Sequence, residues 1–143
     1  FGYADDLFEL MTQPEKPGWI YWTDTLGLTT LPERWDIDEN TVRDGSYCHG
    51  AYTEYMAVVY RYFAGFRYTP EHRGGDGLEI RPIFPKKLGG VEAEHRGYRV
   101  KWNRTGDGIT FALTVPDGKT ATLVLPGRVP REVGAGTYQE VVP

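Results

Sequence analysis

The hydrophobic pattern changes period partway along this chain, and that change constrains its fold more than any other feature. From Phe1 to about Phe66 apolar residues recur mainly at three- and four-residue steps, interrupted by one long irregular stretch; from about Leu78 they alternate. Ala4 to Met11 reads as a short helix with Leu7, Phe8 and Met11 at helical spacing, stopped by Pro14 and Pro17-Gly18. A second helix is expected from Ser46 as N-cap to Gly65 as the residue that ends it. Along it Tyr52, Tyr55, Met56, Val59, Phe63 and Ala64 make one broad apolar face. Two helices cannot enclose a core, so this face needs partners from outside the chain or from the strand-rich half.

That second half predicts an antiparallel sandwich. Strands are expected over Leu78–Phe84, Val91–His95, Tyr98–Asn103, Ile109–Val115, Ala121–Leu125 and Tyr138–Val142. Asp107-Gly108 and Asp117-Gly118 lie between such runs as hairpin signals. Pro82 and Pro126 belong at strand ends or edges, where no ladder donor is lost. Gly74-Gly75-Asp76-Gly77 reads as the turn or linker joining the halves, so the expected organisation is a helical region over 1–70 and a β-sandwich over 71–143.

Chemistry, if the chain carries any, concentrates between the two predicted helices. The stretch from Gln13 to Gly45 is too long for an ordinary connection and too aromatic for disorder, which marks it as an ordered functional loop. Within it Glu33 is flanked by Arg34, Trp35 and Asp36, and His49 follows at the expected start of the second helix. Carboxylate, imidazole and indole on one rim suit a sugar, the carboxylate handling protons and water while the rings hold hydroxyls and C–H faces. The same residues also fit a solvated Glu33-Arg34 pair with Trp35 plugging the loop onto the core. A formal net charge of -4 and scattered cations exclude a nucleic-acid footprint, and no apolar run is long enough to cross a bilayer. The single cysteine, Cys48, excludes an internal disulfide framework, and adjacent residues on a helix do not face one another, so Cys48 and His49 make no thiol–imidazole pair. His49, His72 and His95 lack metal-ligand spacing; neither metal nor cofactor is expected. Asn103-Arg104-Thr105 fits a glycosylation sequon. The chain opens at Phe1 without Met, which leaves any export signal and the compartment open.

Two motifs carry a resemblance. Thr29-Thr30-Leu31-Pro32-Glu33-Arg34-Trp35-Asp36 resembles the T-T-x-W-E-x-W-D signature of the alpha-L-rhamnosidases of glycoside hydrolase family 78. Ser46-Tyr47-Cys48-His49-Gly50-Ala51-Tyr52, with Tyr60-Arg61-Tyr62-Phe63-Ala64-Gly65, is similar to that family's S-x-x-H-x-A helix and its Y-R-x-x-A-G ending. Ile80-Arg81-Pro82, Thr120 to Pro126 and Gly136-Thr137-Tyr138 resemble its terminal sandwich. The resemblance implies the last helices of an (α/α)6 barrel followed by a small antiparallel β-sandwich. It implies Glu33 as general base of an inverting glycosidase, His49 as a ligand of the sugar and Trp35 in the pocket wall. Its implied partners are a rhamnose-containing glycan and the upstream part of the same enzyme. The family's general acid has no counterpart here, Asp5 and Asp6 reading as an ordinary helix start, so the chain alone is expected to be inactive. Pro32 stands where the signature has tryptophan. The rival readings are a glycan-binding module without catalysis and a domain that docks on another subunit.

Overall fold

In the computed structural model, which describes residues 3–43, 45–70 and 77–143, the alternating segments form eight strands among the described residues. They are β1 (Phe66–Arg67), β2 (Gly77–Ile80), β3 (Gly90–His95), β4 (Tyr98–Thr105), β5 (Gly108–Val115), β6 (Thr120–Leu123), β7 (Arg131–Val133) and β8 (Gly136–Val142). Two four-stranded sheets result, one in the order β1-β2-β6-β7 and the other β3-β4-β5-β8. Alternation decides which side chains go inside: Tyr98, Val100 and Trp102 of β4 are buried while Arg99, Lys101 and Asn103 between them are exposed. Ile109, Phe111, Leu113 and Val115 of β5 meet Leu78 and Ile80 of β2 and Ala121 and Leu123 of β6 in one core. The Tyr98 hydroxyl, on the second sheet, donates to the Thr120 carbonyl of the first at 2.8 Å.

The sandwich is not wholly antiparallel, as the sequence led us to expect. β2 and β6 run parallel, Leu78 beside Ala121 and Ile80 beside Leu123. The chain between them passes through β3, β4 and β5 of the opposite sheet, and a crossover that long can return in the same direction. For the same reason Asp117-Gly118 is a turn that switches sheets, not a hairpin, whereas Asp107-Gly108 does join the paired strands β4 and β5. β2 ends at Ile80, short of the expected Phe84, because Pro82 has no N–H to continue the ladder. β1 and β7 are too short to leave a readable period.

The helical part departs further from expectation. α1 covers Ala4–Thr12, with no fully buried residue. The long loop contains a π-helical turn, Tyr21–Thr25, and the second helix is short and composite: a 3-10 turn Gly50–Tyr52, α2 (Glu54–Val58) and a π turn Val59–Phe63. No array of barrel helices is formed by the described residues. Ser46 does not cap a helix, because its backbone is bonded sideways to the Glu33 segment instead.

The chain divides into two compact units, Phe1–Ala57 and Val58–Pro143. The second begins before the alternating pattern does, because Ala64 and Phe66 belong to the sandwich core and Tyr60 packs on it. The Phe63 carbonyl accepts the indole N–H of Trp102 at 2.8 Å. His72 and the expected linker, apart from Gly77, lie outside the described residues.

Gly65 ends the helical segment as expected, at a φ of +88°. A Cβ there would collide with the backbone of Arg81 and Pro82. The approach is that close because the Arg81 N–H donates to the Gly65 carbonyl at 2.9 Å and the Ile83 N–H to that of Tyr62 at 2.8 Å. Gly65→Ala should therefore cost about 3 kcal/mol, strain and overlap together, read as a lowered melting temperature. An unchanged melting temperature would mean that the Pro82 backbone yields freely.

Candidate functional site

In the first unit two stretches distant in sequence are stitched side by side. The Glu33 N–H donates to the Ser46 carbonyl at 2.9 Å, and the His49 N–H donates to the Leu31 carbonyl at 3.1 Å. The Ser46 N–H in turn reaches Oε2 of Glu33 at 3.4 Å. The two segments that the sequence marked are thus neighbours through their backbones, and both Glu33 and His49 are exposed. Gly45, at a φ of +92°, makes the bend into the second of them. His49 precedes the 3-10 turn instead of lying in the first turn of an α-helix, so a bonded loop, not a helix end, presents it.

Trp35 is placed otherwise. It packs edge-on against Trp19 and Trp22, with ring centroids at 4.8 and 4.9 Å, and tilted against Tyr52 at 5.1 Å. With Tyr21, Trp22 and Ile37 buried beneath, these rings form the core of the first unit. Such contacts fix the platform on which the Glu33 segment rests, each worth about 0.5–1.5 kcal/mol beyond area burial. Pro32 is buried beside Glu33.

The loop between the two stretches is tied by charge and by turn chemistry. Arg34 forks onto Asp36 through two bonds of 3.1 and 3.0 Å, which holds that carboxyl below its ordinary value. Asp38 accepts Lys16 Nζ at 2.7 Å and the N–H groups of Asn40 and Thr41 at 3.0 Å. The Lys16 ammonium and those turn donors bring its carboxyl down to about 2. The Lys16 pair closes 22 residues of chain, so the aromatic loop is a tethered element.

Beside the threonines of the first motif lies a cleft of about 420 Å³. Its walls include Trp19, Leu28, Thr29, Thr30, Leu31 and Tyr55; Glu33, Trp35 and His49 do not line it. The indole N–H groups of Trp19 and Trp22 are buried without a partner among the described residues. Sequence reasoning missed Trp19, Tyr55 and the two threonines as cleft residues. The three-residue spacing of Trp19 and Trp22 was the available signal, since it places both rings on one side of a helical turn. Among the described residues no group of three His, Cys, Asp or Glu side chains could hold a metal ion, and no helix is long and apolar enough to cross a membrane.

Residues 1–63 match the family described as the bacterial alpha-L-rhamnosidase 6 hairpin glycosidase domain, and residues 77–140 match the bacterial alpha-L-rhamnosidase C-terminal domain. Among solved structures, the chain is similar to native alpha-L-rhamnosidase from Aspergillus terreus, with a TM-score of 0.81 and 23% identity over 99% of this chain and 17% of that one. It is similar to alpha-L-rhamnosidase from Streptomyces avermitilis complexed with L-rhamnose, with a TM-score of 0.82 and 25% identity over 99% of this chain and 16% of that one. The enzyme from Dictyoglumus thermophilum gives a TM-score of 0.81 at 19% identity, over 96% of this chain and 18% of that one. The chain therefore spans less than a fifth of the length of each. Among curated proteins, none matches.

Proposed function

We propose that this chain, which belongs to the alpha-L-rhamnosidases through both of its halves, supplies the general base of a glycoside hydrolase that releases terminal alpha-linked rhamnose, or a close deoxy-sugar, with inversion. The first unit, Phe1–Ala57, is then a part of the catalytic barrel, and the second, Val58–Pro143, its terminal sandwich domain. Glu33 takes the proton from a water molecule as that water attacks the anomeric carbon from the face opposite the leaving oxygen. His49 bonds a hydroxyl of the bound sugar, and Trp35, packed among the other rings, keeps the Glu33 segment in place and borders the subsite. Pro32, standing where the family signature has tryptophan, removes one ring from the subsite wall and leaves room for a differently shaped deoxy-sugar.

The observation that supports this reading is the stitching of the Glu33 segment to the His49 segment by backbone hydrogen bonds, with both side chains exposed. An inverting enzyme sets its two carboxyl groups about 6.5–9.5 Å apart, with the water between base and sugar. No stretch of this sequence matches the family's motif for the acid that protonates the leaving oxygen, and Asp5 and Asp6 sit in the first turn of α1 as ordinary helix-start residues. The acid belongs to the remainder of the enzyme, which is the chain's first partner.

Two measurements test the proposal. Hydrolysis of an alpha-L-rhamnoside by the complete enzyme, followed by proton NMR before mutarotation, should give the β-anomer first; initial release of the α-anomer would exclude inversion. The chain alone should show no turnover of the same substrate, and measurable turnover by it would place an acid within these residues.

A further inference from the structure

The sandwich unit carries a cluster that the hydrolase reading does not use. Tyr68 is 47% exposed, and its hydroxyl meets Nε2 of His95 at 2.6 Å. The two rings stand perpendicular, at 86° and 5.8 Å between centroids, with Phe66 5.7 Å and Tyr60 6.5 Å from the imidazole. The Arg96 guanidinium lies over the Tyr68 ring, 5.7 Å from its centroid.

Arg96 is held there at a conformational cost. With a φ of +52° it is the one non-glycine residue of positive φ among the described residues. With Gly97, at +85°, it forms the two-residue connection between β3 and β4, where asparagine or glycine meets the geometry more easily. The turn itself therefore does not select an arginine at this position. Nor is that side chain committed to an ion pair among the described residues. Glu94, on the same hairpin, is bonded to Arg99 at 2.8 Å.

An exposed ring locked by its own hydroxyl, with a guanidinium stacked on it that has no ion pair among the described residues, has two complementary halves. The part of the ring that the guanidinium leaves open suits the C–H face of a pyranose, and the guanidinium suits a carboxylate, which it can grip through two parallel bonds. We propose that Tyr68, His95 and Arg96 form a binding site for an acidic sugar, a hexuronate residue of a glycan. A neutral sugar leaves the guanidinium unused and a simple carboxylate leaves the ring uncovered, so both bind more weakly. The choice of a sugar rests on the glycan reading above; the site lies in the other unit from Glu33, so either idea can fail alone.

The test is titration of the 143-residue chain with oligogalacturonate, with rhamnose and acetate as comparisons, by calorimetry and by the proton NMR signals of the Tyr68 and His95 rings. Oligogalacturonate should bind and move both sets of signals, while rhamnose and acetate at the same concentration should not. Arg96→Asn keeps a residue at home in this turn, so the melting temperature should hold or rise while affinity falls about tenfold or more. Arg96→Gly is the second variant with the turn preserved, and Tyr68→Ala should lose binding as well. Absence of binding by the unmodified chain, equal binding of rhamnose, or undiminished affinity in both Arg96 variants would overturn the proposal.

Discussion

Glu33→Gln in the complete enzyme should lower turnover by about a thousandfold while leaving sugar binding intact, the range expected when a positioned general base is removed. The amide matches the carboxylate in shape but cannot take a proton from water. Its oxygen can still accept the Ser46 N–H, which reaches Glu33 at 3.4 Å, and the position is exposed, so the fold has little to lose. kcat should fall with KM nearly unchanged, the mark of a group that acts in the transition state. His49→Ala should show the opposite split, a raised KM with a smaller effect on kcat. Retained kcat in Glu33→Gln would remove Glu33 from the role of base and with it the hydrolytic account of this chain.

The largest expected effect on stability is at Trp102. Its side chain is fully buried, Phe84 stands edge-on to it at 5.0 Å, and its N–H is spent on the Phe63 carbonyl. Trp102→Ala opens a large void and strands that carbonyl, for a loss of about 5 kcal/mol, comparable to the whole stability of many domains. Chemical denaturation of the chain should show the sandwich unfolded, or nearly so, in mild denaturant. Trp102→Phe keeps most of the volume and gives up the bond, so it should cost only about 1–2 kcal/mol. Equal losses in the two variants would assign the effect to the hydrogen bond rather than to the volume.

What the sequence made legible was what strict periodicity encodes. Six strands, the Asp107-Gly108 hairpin and the glycine that ends the helical segment follow from alternation and turn chemistry at named residues. The parallel pairing of β2 with β6 was not legible, because alternation says which side chains face inward and nothing about the direction of a neighbour. The composite second helix was lost for a different reason. Ser46 has the right side chain for an N-cap, but its backbone is engaged by Glu33, a tertiary bond that no local pattern displays. Of the candidate site, the two motifs and their approach to one another were expected from the sequence; the backbone bonds that join them were not legible. Trp35 shows how far residue type alone can carry: an aromatic near a carboxylate was readable, but its packing on Trp19, Trp22 and Tyr52 was not.

The parallel alignment of Leu78–Ile80 with Ala121–Leu123 bears on how this unit is made. The hairpins β3–β4 and β4–β5 can zip from adjacent residues as soon as they emerge, but β2 must wait for a strand some forty positions later before its inner ladder exists. During synthesis the segment carrying Leu78 and Ile80 is therefore an orphan edge, hydrophobic and unpaired on the β6 side, until the chain has run past Leu123. Shortening the polypeptide anywhere before that point should yield an aggregating product, not a smaller soluble sandwich.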